Sequence, residues 1–159
     1  MGKFGSEWNE EFDSALLDRC MNRCITLAYK GLLQMRKPLV GALVLDGSGV
    51  VIGEGYRSLL DGTTLAIHAE RMAINDAGGK ARGATLVTTL EPCIPARDSQ
   101  LLKSCGKLIV ETGIVRVIVG CLDDSPTVHH GQGIGYLRER RVQVVRYDGL
   151  KSILAGLLG

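Results

Sequence analysis

The sequence predicts an α/β fold in which one mixed β-sheet lies between helical layers. Valine-rich apolar runs of strand length alternate with stretches of helical period, and glycine-containing turns separate the two. The first two strands are joined by a tight turn, which makes them an antiparallel pair. Later strands are separated by helices, which gives the sheet parallel members.

In chain order, Glu11 to Leu33 places Phe12, Leu16, Cys20, Ile25 and Leu27 among charged residues, an amphipathic helix with Gly31 near its end. Leu39 to Leu45 and Val50 to Ile52 read as strands joined by Asp46-Gly47-Ser48-Gly49. After a glycine-containing loop, Ala66 to Ala77 reads as a helix closed by Gly78-Gly79. Ala84 to Leu90 and Val115 to Val119 are further strands, with a helix ending near Gly113 between them. A helix around Ile134 to Arg140, a strand from Val142 to Tyr147 and a covering helix from Leu150 to Leu158 complete the alternation. With no linker or repeat, residues 1–159 are expected to form a single domain.

The 19 Lys plus Arg against 17 Asp plus Glu leave a formal charge of +2, with no basic or acidic tail. With seven aromatic residues, there is little material for a platform on which single-stranded nucleic acid could stack. A small-molecule ligand is the better expectation. Met1 to Glu11 lacks the apolar run of a secretion signal, and charged residues interrupt every long apolar stretch. The expected location is cytoplasmic, without a membrane partner. Five cysteines, an odd number, suit reduced thiols or metal ligands better than a disulfide framework.

The chemistry-bearing residues are His68-Ala69-Glu70 and Glu91-Pro92-Cys93, with Cys105 a helix length further on. One imidazole and two thiolates suit zinc and leave a fourth tetrahedral position for water. Glu70, two residues after His68 at a helix start, can face that water rather than the metal. Cys93 follows proline at an expected helix start, where amide donors favour a thiolate; Cys105 gains the same benefit if another helix begins there.

His68-Ala69-Glu70 followed by Thr89-Leu90-Glu91-Pro92-Cys93 resembles the cytidine deaminase-like superfamily of zinc enzymes, nearest to the deaminase domain of riboflavin biosynthesis. The resemblance extends through Pro38 to Ala42, Ala81 to Thr85, Gly113 to Val117, Asp123 to Pro126, and Gly131 and Gly133. It implies a three-layer α/β/α fold with a five-stranded mixed sheet. It also implies Zn2+ held by His68, Cys93 and Cys105, with Glu70 moving protons during hydrolytic deamination of an aminopyrimidine, nucleoside or nucleotide. A homodimer or homotetramer follows from the same resemblance. A tRNA or single-stranded DNA base deaminase, and a non-enzymatic zinc-stabilised interaction protein, are the alternatives.

Two departures bear on substrate. Eleven residues separate Cys93 from Cys105, against two in most of the superfamily and eight in the riboflavin-type pattern. Cys105 is nevertheless eight positions before Gly113, as in that pattern, so the extra length falls in the loop from Ile94 to Ser104. Lys37 stands where the pattern has a substrate-contacting asparagine. Lys37, Arg97 and His129 are the candidate substrate contacts, the cations suiting a phosphate. Cys20 and Cys24, four apart on one helix, are expected in the core, and Cys121 is expected to be buried or near the site.

Overall fold

The computed structural model of the protein describes residues 10–34, 37–94, 103–123 and 131–159. Helix α1 (Glu10–Lys30) leads through a single 3-10 turn to strand β1 (Gly41–Leu45), which pairs antiparallel with β2 (Val51–Tyr56). The turn between them is closed by Asp46, whose Oδ1 accepts hydrogen bonds from the amides of Ser48 (2.8 Å) and Val50 (3.0 Å). This is the local competition with the ladder that makes aspartate a turn residue.

A short antiparallel pair, β3 (Ser58–Leu59) and β4 (Ala66–Ile67), precedes helix α2 (Ala69–Ala77). Strand β5 (Thr85–Leu90), helix α3 (Cys105–Thr112), strand β6 (Arg116–Cys121), helix α4 (Gln132–Glu139), strand β7 (Gln143–Arg146) and helix α5 (Lys151–Leu158) follow. The five-stranded sheet has the order β2-β1-β5-β6-β7; β1 is antiparallel to both its neighbours, while β5, β6 and β7 are parallel.

Alternation along the strands creates the three layers. Ala42, Val44, Leu86, Val117, Val119 and Val144 pack on one face against Ala69, Ala73 and Ile74 of α2, Ile109 of α3 and Leu137 of α4. Leu43, Leu45, Val87 and Ile118 pack on the other against Met21, Cys24 and Leu27 of α1 and Leu154 and Leu157 of α5. The expected α/β/α architecture is therefore realised, with each large aliphatic side chain contributing about 1.5–3 kcal/mol through burial. Cys20 and Cys24 lie in the second core.

Two local expectations need correction. The second strand runs to Tyr56 and not merely to Ile52. Its apolar run is broken by Gly53 and Gly55, but these residues pack closely under α2: a Cβ on either would lie 2.3 Å from a carbonyl oxygen of that helix. Absence of a side chain here signals helix-on-sheet packing, not a strand end. Ala66 and Ile67 belong to β4, so α2 begins after His68, which takes the extended N-cap conformation. The helix start expected at Cys93 falls on residues 95–102, outside the described residues, whereas Cys105 is the first residue of α3, capped by the Ser104 hydroxyl accepting from Lys107 N at 3.2 Å.

Candidate metal centre and pocket

The polar residues converge at the ends of the parallel strands β5 and β6, where open α/β sheets bind ligands. His68 Nδ1 lies 3.6 Å from Cys93 Sγ and 3.3 Å from Cys105 Sγ. These three residues are the His/Cys/Asp/Glu group found among the described residues with all ligand atoms within 4.8 Å of one another. Tetrahedral zinc with ordinary Zn–S and Zn–N bonds places neighbouring sulfur and nitrogen ligands about 3.5 Å apart, so the donor set and its spacing both fit the ion.

Each ligand candidate is held by a different local device. His68 is fixed by the start of α2, and Cys105 is the first residue of α3. Cys93 lies in the loop after β5, with its carbonyl accepting from Gly106 N at 2.8 Å and its sulfur accepting from Cys105 N at 3.1 Å. The Arg71 guanidinium, one residue after Glu70, donates to Lys103 O and ties α2 to the approach to α3.

Hydrogen bonding from Cys105 and from the imidazole pushes the Cys93 thiol down to about 4, against the opposing effect of burial. Hydrogen bonding with Cys93, together with burial, pushes Cys105 up. Hydrogen bonding with Cys93 raises His68 above the ordinary imidazole value. Burial raises Glu70, a residue 4 % exposed. Its Oε2 lies 3.8 Å from Cys105 Sγ, while the Thr88 hydroxyl is 3.5 Å from Oε1 and makes its shorter bond, 3.0 Å, to Leu90 O.

Beside these groups is a cavity of about 260 Å³, lined by Pro38, Val40, Arg57, His68, Glu70 and Asp123 among others. This is near the lower end of small-ligand sites, roughly 300 Å³. Residues 15–121 match the profile "Cytidine and deoxycytidylate deaminase zinc-binding region". The chain belongs to this family.

Its relatives include the riboflavin biosynthesis protein RibD of Synechocystis sp., 35% identical over 125 residues that cover 78% of this chain and 32% of that protein. A diaminohydroxyphosphoribosylamino-pyrimidine deaminase of Buchnera aphidicola subsp. Schizaphis graminum is 35% identical over 125 residues, covering 78% of this chain and 79% of the relative. The chain thus spans about a third of the RibD length but most of the shorter deaminase. Among solved structures, the diaminohydroxyphosphoribosylaminopyrimidine deaminase/5-amino-6-(5-phosphoribosylamino)uracil reductase of Thermotoga maritima superposes with a TM-score of 0.77 at 35% identity, over 92% of this chain and 40% of that one. Each shared region corresponds in extent to a deaminase-sized unit, in keeping with the family profile.

Of the remaining candidates, Lys37 is exposed and lies beside Gly159, while its neighbour Pro38 lines the cavity. Arg97 and His129 lie outside the described residues, as does most of the Ile94 to Ser104 loop. Cys121 is half-buried at the end of β6 and pairs with Leu90, apart from the three clustered ligand atoms. Arg57, which the sequence reading did not single out, is the one lysine or arginine lining the cavity among the described residues. Its Nη1 donates to Pro38 O at 3.0 Å. The available signal is its position immediately after β2, whose end lies four residues beyond Ile52.

Among the described residues no helix is long and apolar enough to cross a membrane.

Proposed function

We propose that residues 1–159 act as one zinc-dependent deaminase domain that hydrolyses the exocyclic amine of an aminopyrimidine, nucleoside or nucleotide. The observation that carries this reading is the buried Glu70 carboxylate, 3.8 Å from Cys105 Sγ and open to the same cavity as His68 and Cys93. His68, Cys93 and Cys105 would hold the ion. Zinc, when bound, supplies a Lewis acid that makes water nucleophilic near neutral pH.

Glu70 supplies the proton path. Its raised proton affinity suits a carboxylate that takes a proton from water and gives it to the ring nitrogen next to the reacting carbon. A C–O bond forms, the C–N bond breaks, and a second proton passing through Glu70 lets the amine leave as ammonia. The cavity walls of Pro38, Val40 and Leu90 provide apolar contact for the ring, while Arg57 and Asp123 provide polar contact at its edge. The names of the relatives favour a diaminohydroxyphosphoribosylaminopyrimidine, and its phosphate is assigned to Lys37, Arg97 and His129, of which Lys37 lies among the described residues. Alanine at each of these three positions is expected to raise KM and leave zinc content unchanged; an unchanged KM removes that position from the assignment.

The central experiment incubates zinc-loaded protein with aminated bases, nucleosides, nucleotides and short oligonucleotides while ammonia is measured. Glu70→Gln is expected to retain zinc and fold and to lose roughly a hundredfold or more in turnover, the scale of positioned proton transfer. Wild-type turnover in a folded, metallated Glu70→Gln protein would exclude Glu70 as the shuttle. Turnover confined to the oligonucleotides would favour a nucleic-acid base deaminase. No turnover by the wild-type protein would favour the non-enzymatic zinc protein.

A homodimer or homotetramer is part of the same proposal, supported by Tyr29, Leu32, Leu33 and Leu60, large apolar residues exposed at 46%, 54%, 95% and 48%. Light scattering that returns a monomer would remove it. A cytoplasmic location is proposed with it and is checked by cell fractionation.

A further inference from the structure

We propose that Glu91 is a positioning residue for the substrate-side wall of the pocket, that it acts through the backbone of Asp123, and that it does so separately from metal binding. The inference rests on the deaminase reading for the identity of the ligand, but not for the geometry. Glu91 is 2 % exposed. Its Oε1 accepts from Asp123 N at 3.1 Å and from Gly131 N at 2.9 Å, and its Oε2 accepts from Ile134 N at 3.0 Å. Three amide donors thus face one buried carboxylate, two of them at the start of α4, where the helix dipole also favours negative charge.

The three bonds join different parts of the fold. Glu91 follows β5, Asp123 follows β6, and Gly131 and Ile134 belong to the entry and first turn of α4. Gly133 allows the close approach: a Cβ there would lie 2.3 Å from Pro92 O and 2.9 Å from Glu91 Cγ. Asp123 itself lines the cavity. The carboxylate therefore fixes the chain at the point where it forms the pocket wall.

Cys93 follows two residues after Glu91 in the same irregular segment, but the hydrogen bonds of the metal ligands run to other partners. Cys93 is bonded through its carbonyl and sulfur to the amides of Gly106 and Cys105 in α3, and His68 is set by α2. Among the described residues, the Glu91 carboxylate accepts from Asp123, Gly131 and Ile134 and from neither of these elements. Removing its charge loosens the wall at Asp123 and leaves the ion's donors in place. Glutamine tests this closely. Whichever way its amide is turned, an NH2 group faces at least one backbone N–H, so a donor meets a donor.

The test is a double-mutant cycle of Glu91→Gln and Asp123→Asn, read by calorimetric binding in a zinc-loaded Glu70→Gln background so that consumption of the ligand is slowed. The probes are cytidine, deoxycytidylate and diaminohydroxyphosphoribosylaminopyrimidine. Each single change is expected to weaken binding of the preferred probe roughly tenfold, the scale of one lost charged hydrogen bond, and the pair no further than the weaker-binding single variant. Zinc should stay at its unsubstituted level throughout. Additive losses, unchanged binding, binding of none of the probes, or zinc loss from a folded Glu91→Gln protein would each overturn the proposal. Should Glu91→Gln fail to fold, Glu91→Asp, which keeps the charge and retracts it by one methylene, replaces it in the cycle. Failure of both to fold would assign Glu91 to the fold alone and also overturn it. Failure of the deaminase reading is distinguished by the absence of ammonia release from the protein with Glu70 intact, which leaves the binding cycle readable.

Discussion

Gly55→Ala is expected to damage the metal centre without touching any of its ligands. An added Cβ would lie 2.3 Å from Ala69 O, 2.5 Å from Ala73 N and 2.7 Å from Met72 Cβ, whereas ordinary contact begins at 3.4 Å. The atoms that must yield are mainly helix backbone, and Ala69 stands between His68 and Glu70. Relieving the contact moves the start of α2 by about 1 Å, a displacement that costs on the order of a hundredfold in rate when it misplaces catalytic groups. Overpacking of this kind destabilises by about 1–3 kcal/mol, and backbone contact puts Gly55→Ala at the upper end. Urea unfolding should show a midpoint lowered by roughly 1 M. Gly53→Ala supplies the control, because its Cβ would press with the same 2.3 Å contact on Ala73 O, further along the helix and away from the ligands. Stability should fall similarly in the two variants, while zinc content and turnover should fall more in Gly55→Ala. Wild-type zinc content and turnover in folded Gly55→Ala would refute the reasoning, since α2 would then have absorbed the methyl without moving its first turn.

Cys105→Ser should lower bound zinc strongly from about one ion per chain, whereas Cys121→Ser should leave it unchanged; metal analysis of the two proteins decides between them. Tyr147→Phe should cost about 1 kcal/mol at neutral pH, because the phenol donates to Asp18 Oδ1 at 2.6 Å. Burial first, and Asp18 second, raise Tyr147 above the ordinary phenol value, so its contribution is present below about pH 10 and is lost as pH rises above that. Unfolding curves should therefore show a shallower alkaline decline for Tyr147→Phe, and identical declines would remove this assignment. Glu54→Gln breaks the two-bond pair with Arg23 at 2.9 and 2.7 Å, yet the side chains are 34% and 42% exposed, so the loss should stay below about 1 kcal/mol. Hydrogen bonding to Arg23 holds Glu54 below its ordinary value, so this contribution exists above the usual carboxylate range and disappears on acidification. A loss several times larger at neutral pH would show that α1 depends on the pair for docking.

Much of this protein is determined by local sequence. The apolar strands β1, β5 and β6 were legible because burial on both faces demands continuous aliphatic runs, and the antiparallel start was legible because Asp46 to Gly49 has the chemistry of a turn. His68, Glu70, Cys93 and Cys105 were legible because few residue types satisfy a borderline metal and a proton shuttle, and their motifs are short. Tertiary structure decided what depends on approach between distant segments. It extended β2 through Gly53 and Gly55, since a helix packed on the strand makes an absent side chain favourable. It placed the helix start at Cys105, brought Arg57 to the cavity, and gave Glu91 three amide partners from beyond β6. Periodicity reports which face of an element is apolar; it carries no information about which backbone donors a buried carboxylate meets, because those are set only when the sheet closes its crossovers.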